Sequence, residues 1–302
     1  MAGAANWIDL LDPTPEKLSA HLPPGIQSRA LVQLSAPPVH ADEPRPTLVG
    51  HGTYVFGVLL VAVAVPEEDR VFYQEIDLVL TDQVLLTVRK TPPGETPYDT
   101  ATAREACRGD EPAGLVAYHL VDDIAERYLD LIDTLNGEIE ELEDHVDDWL
   151  AQQVRERISS LRHDMLHIRR TLAPTRDAIR AIVDNRVELE RELFPHDVEL
   201  LFGLAYDKLQ RATEGLEFSR DLLQGVRDYH QAKIANDQNE VMKRLTVIAS
   251  VLLVPTLIVG LYGQNFVNIP ELRWSFGYGW SWGLIVGTTI LQLVFFKWKR
   301  WI

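Results

Sequence analysis

Cysteine is all but missing. The single Cys107 in 302 residues excludes an intramolecular disulfide and is compatible with a reducing compartment. Positive charge is also scarce: 29 lysines and arginines stand against 45 acids, a formal net charge of −16. A body this acidic disfavours nucleic acid as a partner and suits the gathering of metal cations. The start, Met1-Ala-Gly-Ala-Ala-Asn-Trp-Ile-Asp-Leu, has no basic region followed by an apolar core, so no secretory signal is expected and the large domain is expected to stay inside. One further absence governs the rest: no charged residue falls between Leu245 and Tyr262.

That uncharged apolar run is long enough to cross a hydrocarbon core. Its polar and small residues keep a rhythm, because Asn239, Met242, Thr246, Ala249, Leu253, Thr256, Gly260 and Gly263 follow in alternating steps of three and four, an a/d seam. A seam of Asn, Thr, Ala and Gly lets copies of a helix approach closely while polar atoms face the shared axis, which reads as a pore. The rhythm continues upstream through Ala235, Ala232, Asp228, Gly225, Asp221, Phe218 and Glu214. Around a symmetry axis Asp228 and Asp221 become rings of carboxylates, an acidic mouth that attracts cations. The same periodicity fits a membrane-entering coiled coil whose seam only holds subunits together, with Asn239 setting the register.

Along the chain, a Pro-rich beginning (Pro13, Pro15, Pro23, Pro24, Pro37, Pro38, Pro44, Pro46) precedes three predicted strands, Thr53 to Val65, Val71 to Leu80 and Val84 to Arg89. The last two are joined through Thr81-Asp82-Gln83 as a hairpin, giving a mixed or antiparallel sheet. From about Ala113 the pattern is helical. Between Asp122 and Asp148 lie twelve acids against the single Arg127, and between Arg155 and Arg180 seven arginines against three acids. Two helices of opposite charge are expected to pair antiparallel, with the turn near Trp149 to Gln153. Phe194-Pro195-His196-Asp197 marks the next helix start, and no strong stop follows before Tyr262, so a helix of roughly 100 Å is predicted. Pro255 is expected to bend it or free a carbonyl that Thr256 or water satisfies.

A second, shorter span, about Trp282 to Phe296, is predicted outside the pore ring against lipid, with Trp274, Phe276, Tyr278, Trp280 and Trp282 at one interface and Trp298 and Trp301 at the other. Lys243 and Arg244 precede the first span, and Lys297, Lys299 and Arg300 follow the second, whereas the connector has only Arg273. Both termini are therefore expected in the cytoplasm. The resulting plan is an α+β cytosolic domain (1–112), a helical hairpin region (113–193), a stalk helix (194–244), a pore helix (245–262), an outer loop (263–279), a second transmembrane helix (280–298) and a basic cytosolic tail (299–302).

Tyr262-Gly263-Gln264-Asn265-Phe266, followed by Ile269-Pro270-Glu271-Leu272-Arg273-Trp274 and Gly277-Tyr278, then a second span and a basic end, resembles the CorA family of divalent-cation channels. Asn239-Glu-Val-Met-Lys and Pro255-Thr256 agree with that family too. Gln264 stands where the family has methionine in Tyr-Gly-Met-Asn. The resemblance implies a funnel-shaped homopentamer in the plasma membrane, the inner membrane where a cell has two. Its cargo would be hydrated Mg²⁺ with Co²⁺ and Ni²⁺, and it would have no catalytic residues and no resident cofactor. It makes Gly263, Gln264 and Asn265 the outer selectivity turn, with Gly263, Asn265 and Asp228 touching the ion. Amide oxygens suit an ion that sheds water reluctantly, and the apolar seam members can gate by dewetting. At the stalk position where the family places a regulatory acid this chain has Leu204, with Asp207 one turn later, so weakened or relocated cation feedback is expected. Two other readings remain beside this one: a ZntB-like zinc transporter, and a non-conducting membrane-anchored cation sensor or scaffold.

Two smaller motifs invite chemistry. His163 and His167 sit one turn apart, as in a metalloprotease helix, but lack an evident third ligand and have Arg162, Arg169 and Arg170 around them, so a surface pair is expected. Cys107 is read as a free thiol in a polar neighbourhood.

Overall fold

A computed structural model describes residues 6–37, 45–65, 70–187, 193–265 and 268–302. Phe266, Pro38 and Pro44, used in the sequence reading, lie outside these. Two compact units divide the chain at 226/227.

The first unit is built on a five-stranded sheet, β1 (Trp7–Leu11), β2 (Thr47–Gly50), β3 (Val55–Val65), β4 (Arg70–Leu80) and β5 (Leu85–Lys90), in the order β1-β5-β4-β3-β2. Only the β1 and β5 pair is parallel, which makes the sheet mixed. The three strands legible in the sequence are β3, β4 and β5, whose near-continuous Val, Leu and Ile runs reflect burial on both faces. On one face Leu59, Ile76, Leu78 and Leu85 meet a helical layer. On the other, Leu10, Tyr54, Val79, Leu86 and Val88 close over Leu18 and Leu34 of two short helices, α1 (Pro15–His21) and α2 (Ser28–Ser35).

The Pro-rich beginning therefore holds three elements that composition concealed. Thr14 caps α1 by accepting from the Lys17 N–H at 3.3 Å, and Pro15 opens the helix where its missing N–H costs nothing. Asp9 fixes β1 by accepting from Arg89 at 3.0 and 2.8 Å and from the Thr87 hydroxyl at 2.8 Å. Inside the sheet, Lys90 reaches Glu75 and Asp77 at 2.6 Å each and the Gln33 carbonyl at 2.8 Å. Burial pushes the Asp77 carboxyl well above the ordinary carboxylate value, against the pull of Lys90.

Helix α3 (Ala101–Ala106) leads into α4 (Ala113–His145) and α5 (Ala151–Val183). Helix α4 lies on the sheet through Val116, Leu120, Ile124 and Tyr128, whose hydroxyl donates to the Leu60 carbonyl at 3.1 Å. The hairpin turn falls at 146–150, earlier than the expected Trp149 to Gln153. Val146 still completes the buried stripe of α4, while Gln153 accepts from the Leu150 N–H at 3.0 Å to start α5.

The acids of α4 find partners on more than one helix. Arg157 does reach Glu138 at 3.4 Å, but Asp122 and Glu126 are both held at 2.8 Å by Lys208 of a third helix, α6 (His196–Tyr262). Burial lowers the tendency of Lys208 to stay charged, yet its bonds to the two carboxylates outweigh this and raise its pKa. Val198, Phe202, Ala205, Leu209, Ala212, Leu216, Leu223 and Val226 of α6 enter the core that α4 and α5 share. Gly215 allows the close approach, since a Cβ there would come within 2.9 Å of Ile132.

The second unit contains the rest of α6, a 3-10 turn (Pro270–Arg273) and α7 (Gly277–Trp298). Both helices are long and apolar enough to cross a membrane, and only 11% and 6% of their most apolar windows are buried. The core helix of a soluble protein would hide such a surface, so these two are candidate membrane spans. Gln292 of α7 donates to the Ser250 carbonyl of α6 at 3.2 Å.

Candidate functional site

Helix α6 carries two stripes. In the first unit, Leu209, Ala212, Leu216, Ser219, Leu223 and Val226 face the chain's own core, while Glu214, Phe218, Asp221 and Gly225 are exposed. At 100° per residue, Asp221 and Leu223 point about 200° apart. In the second unit, Val247 and Ile258 are buried. Asp228, Ala232, Ala235, Asn239, Met242, Thr246, Ala249, Leu253, Thr256, Gly260 and Gly263 are all exposed, Met242 by 61% and Leu253 by 70%. From residue 227 onward α6 is exposed or half-exposed on nearly every side, so the seam is a face given by sequence spacing and not one that the chain's own packing singles out.

The hydroxyls on that face are oriented by their own helix. Thr246 donates to the Met242 carbonyl at 2.8 Å and Thr256 to the Leu252 carbonyl at 2.7 Å. Their hydrogens are occupied, which leaves oxygen lone pairs as acceptors on the exposed side. Pro255 does not interrupt α6. Having no N–H, it leaves the Val251 carbonyl without its usual helical donor. Thr256 binds the carbonyl of Leu252 instead, so it does not replace the lost bond as the sequence suggested.

At its end, α6 closes with Gly263 N–H on Val259 O at 2.9 Å and Gln264 N–H on Leu261 O at 3.4 Å. Gly263 is not left-handed, in contrast to Gly25, Gly52 and Gly94. It is small for another reason: a Cβ would press on the Val259 carbonyl at 3.0 Å. Gln264 and Asn265 emerge exposed beyond the last turn, which holds no basic residue to offset the negative end of the helix dipole. A cleft of about 530 Å³ beside Gly263 is lined by Pro255, Val259, Tyr262, Tyr278, Ser281, Trp282 and Ile285. Carbonyls, amides and a partial negative charge at one helix end suit a cation that keeps its water.

His163 and His167 lie with their Nε2 atoms 3.0 Å apart, beside an open surface cleft. Cys107 departs from the expected polar neighbourhood: it is buried, 7% exposed, and lies with Glu111 and His119. Burial and the Glu111 carboxylate push its thiol up to about 11 against the opposing pull of Arg104. The Cys-x3-Glu-x7-His spacing was visible in the sequence, but its meaning depends on a bend between α3 and α4.

Comparison with known proteins follows these observations. The family model described as CorA-like Mg2+ transporter protein matches residues 3–300. The cobalt/magnesium transport protein CorA of Thermotoga maritima is 30% identical over 191 residues, 63% of this chain and 53% of that protein, so the match spans about half the length of this relative. The cobalt/magnesium transport protein CorA of Methanocaldococcus jannaschii is 25% identical over 308 residues, covering 98% of this chain and 91% of that one. The complete structure of that organism's CorA magnesium transporter superposes with a TM-score of 0.79 at 21% identity, over 98% of this chain and 91% of the other. A ZntB cytoplasmic domain from Vibrio parahaemolyticus shares the fold at a TM-score of 0.58 and 17% identity, over 76% of this chain and 88% of its own. With the family model matched along nearly its whole length, the chain belongs to the CorA-like Mg²⁺ transporter family.

Proposed function

We propose that several copies of this chain, five by family likeness, surround a water-filled axis with the exposed stripe of α6 and conduct divalent cations through it. Magnesium is the leading cargo, with cobalt and nickel as companions. The observation that carries the reading is that α6 between Leu209 and Val226 buries one stripe in its own chain and leaves Glu214, Phe218, Asp221 and Gly225 exposed, with the seam residues from Asp228 to Gly263 exposed as well. A lone helix gains nothing from a periodic row of Asn, Thr, Ala and Gly; a ring of them gains close approach and polar lining.

In this assembly Asp221 and Asp228 form the acidic cytosolic mouth, Asn239 a polar ring, Met242, Thr246, Ala249, Leu253, Thr256 and Gly260 the route, and Gly263, Gln264 and Asn265 the outer turn. Asn265, Gly263 and Asp228 touch the ion through its water or directly. Both termini lie in the cytoplasm and α7 lies toward lipid. The ions are cargo, no resident cofactor is invoked and no catalysis is involved.

Gln264 keeps a second reading open, a zinc transporter of the ZntB type, and the shared fold of the ZntB cytoplasmic domain is compatible with it. Flux into proteoliposomes compared across wild type, Gln264→Met and Asn265→Ala tests both. The proposal expects magnesium flux that falls about tenfold or more in Asn265→Ala, a loss near 1.4 kcal/mol or greater in barrier terms. Flux of zinc without magnesium selects the second reading. Intact oligomers that pass neither ion favour a non-conducting sensor, and unchanged flux in Asn265→Ala overturns the outer site.

A further inference from the structure

We infer that Cys107, Glu111 and His119 form a binding site for a soft or borderline divalent metal, zinc or cobalt in character, separate from the conduction route. The three residues come from the C-cap of α3, the following loop and the second turn of α4, all within the first unit. One ligand atom from each lies within 4.8 Å of the other two, and no other triad of His, Cys, Asp or Glu among the described residues does so.

The detailed geometry points to a shared partner. His119 Nε2 and Glu111 Oε2 approach to 3.2 Å, yet the directions do not make a hydrogen bond, and each atom is buried without a hydrogen-bond partner among the described residues. Two such atoms, facing one another and otherwise unsatisfied, are costly to bury. Two ligands of a tetrahedral zinc at about 2.1 Å each stand roughly 3.4 Å apart, close to this separation. The frame is held from outside: Asn6 donates to the Glu111 carbonyl at 2.8 Å, and Arg104 lies over the Trp7 ring and 3.4 Å from Asp9, while the bond that the Cys107 thiol donates to the Ala103 carbonyl is given up when metal binds. Sulfur, imidazole and one carboxylate select zinc or cobalt over magnesium, which prefers an all-oxygen shell. A water completes the fourth position. Binding forms a metal–sulfur bond and releases the thiol proton to solvent, with no change of oxidation state.

The single cysteine makes the test specific, because a thiolate-to-cobalt charge-transfer band can arise only at Cys107. Full-length protein in detergent, purified without added thiols, is titrated with Co²⁺ in the presence of millimolar Mg²⁺. The expected result is a near-ultraviolet thiolate band saturating at one cobalt per chain, displaced by Zn²⁺ and unaffected by Mg²⁺. The band is lost in Cys107→Ser, and apparent affinity drops at least about tenfold in His119→Gln. Should either variant misfold, protection decides on the wild type: Zn²⁺ must slow alkylation of Cys107, read by mass spectrometry, while Mg²⁺ must not. No thiolate band in the wild type, or a band abolished by Mg²⁺, overturns the site whatever the transport assay gives.

Discussion

Two neighbouring positions on α6 should respond in opposite ways. Leu223 is 5% exposed and belongs to the core shared with α4 and α5, so Leu223→Ala removes buried apolar volume and leaves a cavity. Such changes cost about 2–5 kcal/mol. For a unit ending near residue 226 this lowers Tm by about 4–20 °C, at roughly 2–4 °C per kcal/mol. Asp221 is exposed on the other stripe, and Asp221→Asn should change stability by less than about 0.5 kcal/mol. Its effect should appear in transport: a ring of carboxylates raises the local cation concentration and on-rate by about 10- to 1,000-fold, so its neutralisation should cut divalent flux about tenfold at low ionic strength. The deficit should shrink as salt shortens the Debye length to about 10 Å near 0.1 M. Circular dichroism melts and liposome flux at two salt concentrations measure both arms. If the two variants lose equal Tm, or if Asp221→Asn conducts like wild type at low salt, the two-stripe reasoning fails.

Further outcomes follow from the same structure. Lys208→Met leaves Asp122 and Glu126 facing each other one turn apart on α4 without their shared cation, and should lower stability by about 1 kcal/mol, partly restored by added salt, as thermal melts will read. Asp77 has its folded pKa raised above 3.8 by burial, so it binds its proton more tightly when folded, and its contribution is full below that value and lost as pH rises past the folded one. The Tm advantage of wild type over Asp77→Asn should therefore be greatest at acid pH and dwindle toward neutrality; a constant difference contradicts this. Leu204 is 54% exposed, and we propose that it stands where the family resemblance expects a regulatory acid. Currents should accordingly decline weakly as cytosolic magnesium is stepped from micromolar to millimolar, and Leu204→Asp should steepen the decline.

Legibility followed the length scale of each signal. The long periodic segments were readable: β3 to β5 through their β-branched runs, the α4 and α5 pair through their opposite charge runs, and α6 through a rhythm of threes and fours. Short elements among prolines were not, and β1, α1 and α2 went unread although Thr14-Pro15 carries a helix-start pattern. Charge misled in part. The acids of α4 suggested pairing with α5, but Lys208 of α6 holds Asp122 and Glu126, because a third helix lies against the hairpin. The role of Gly263 was half visible: its size was evident, but the reason is the nearby Val259 carbonyl, with no left-handed turn. Cys107, Glu111 and His119 looked unrelated because only the bend from α3 into α4 brings them together.

The central claim, a wet axis lined by one stripe of α6, is tested most directly at two adjacent leucines. Leu252 and Leu253 are 63% and 70% exposed in the single chain, so its own packing does not distinguish them. About 100° of helical rotation separates them, enough to turn one toward the axis and the other toward lipid. In a Cys107→Ser background, a membrane-impermeant, water-soluble thiol reagent should react with Leu253→Cys and block divalent flux, and should neither label nor block Leu252→Cys. Equal labelling of both, or full flux through labelled Leu253→Cys, would contradict the account.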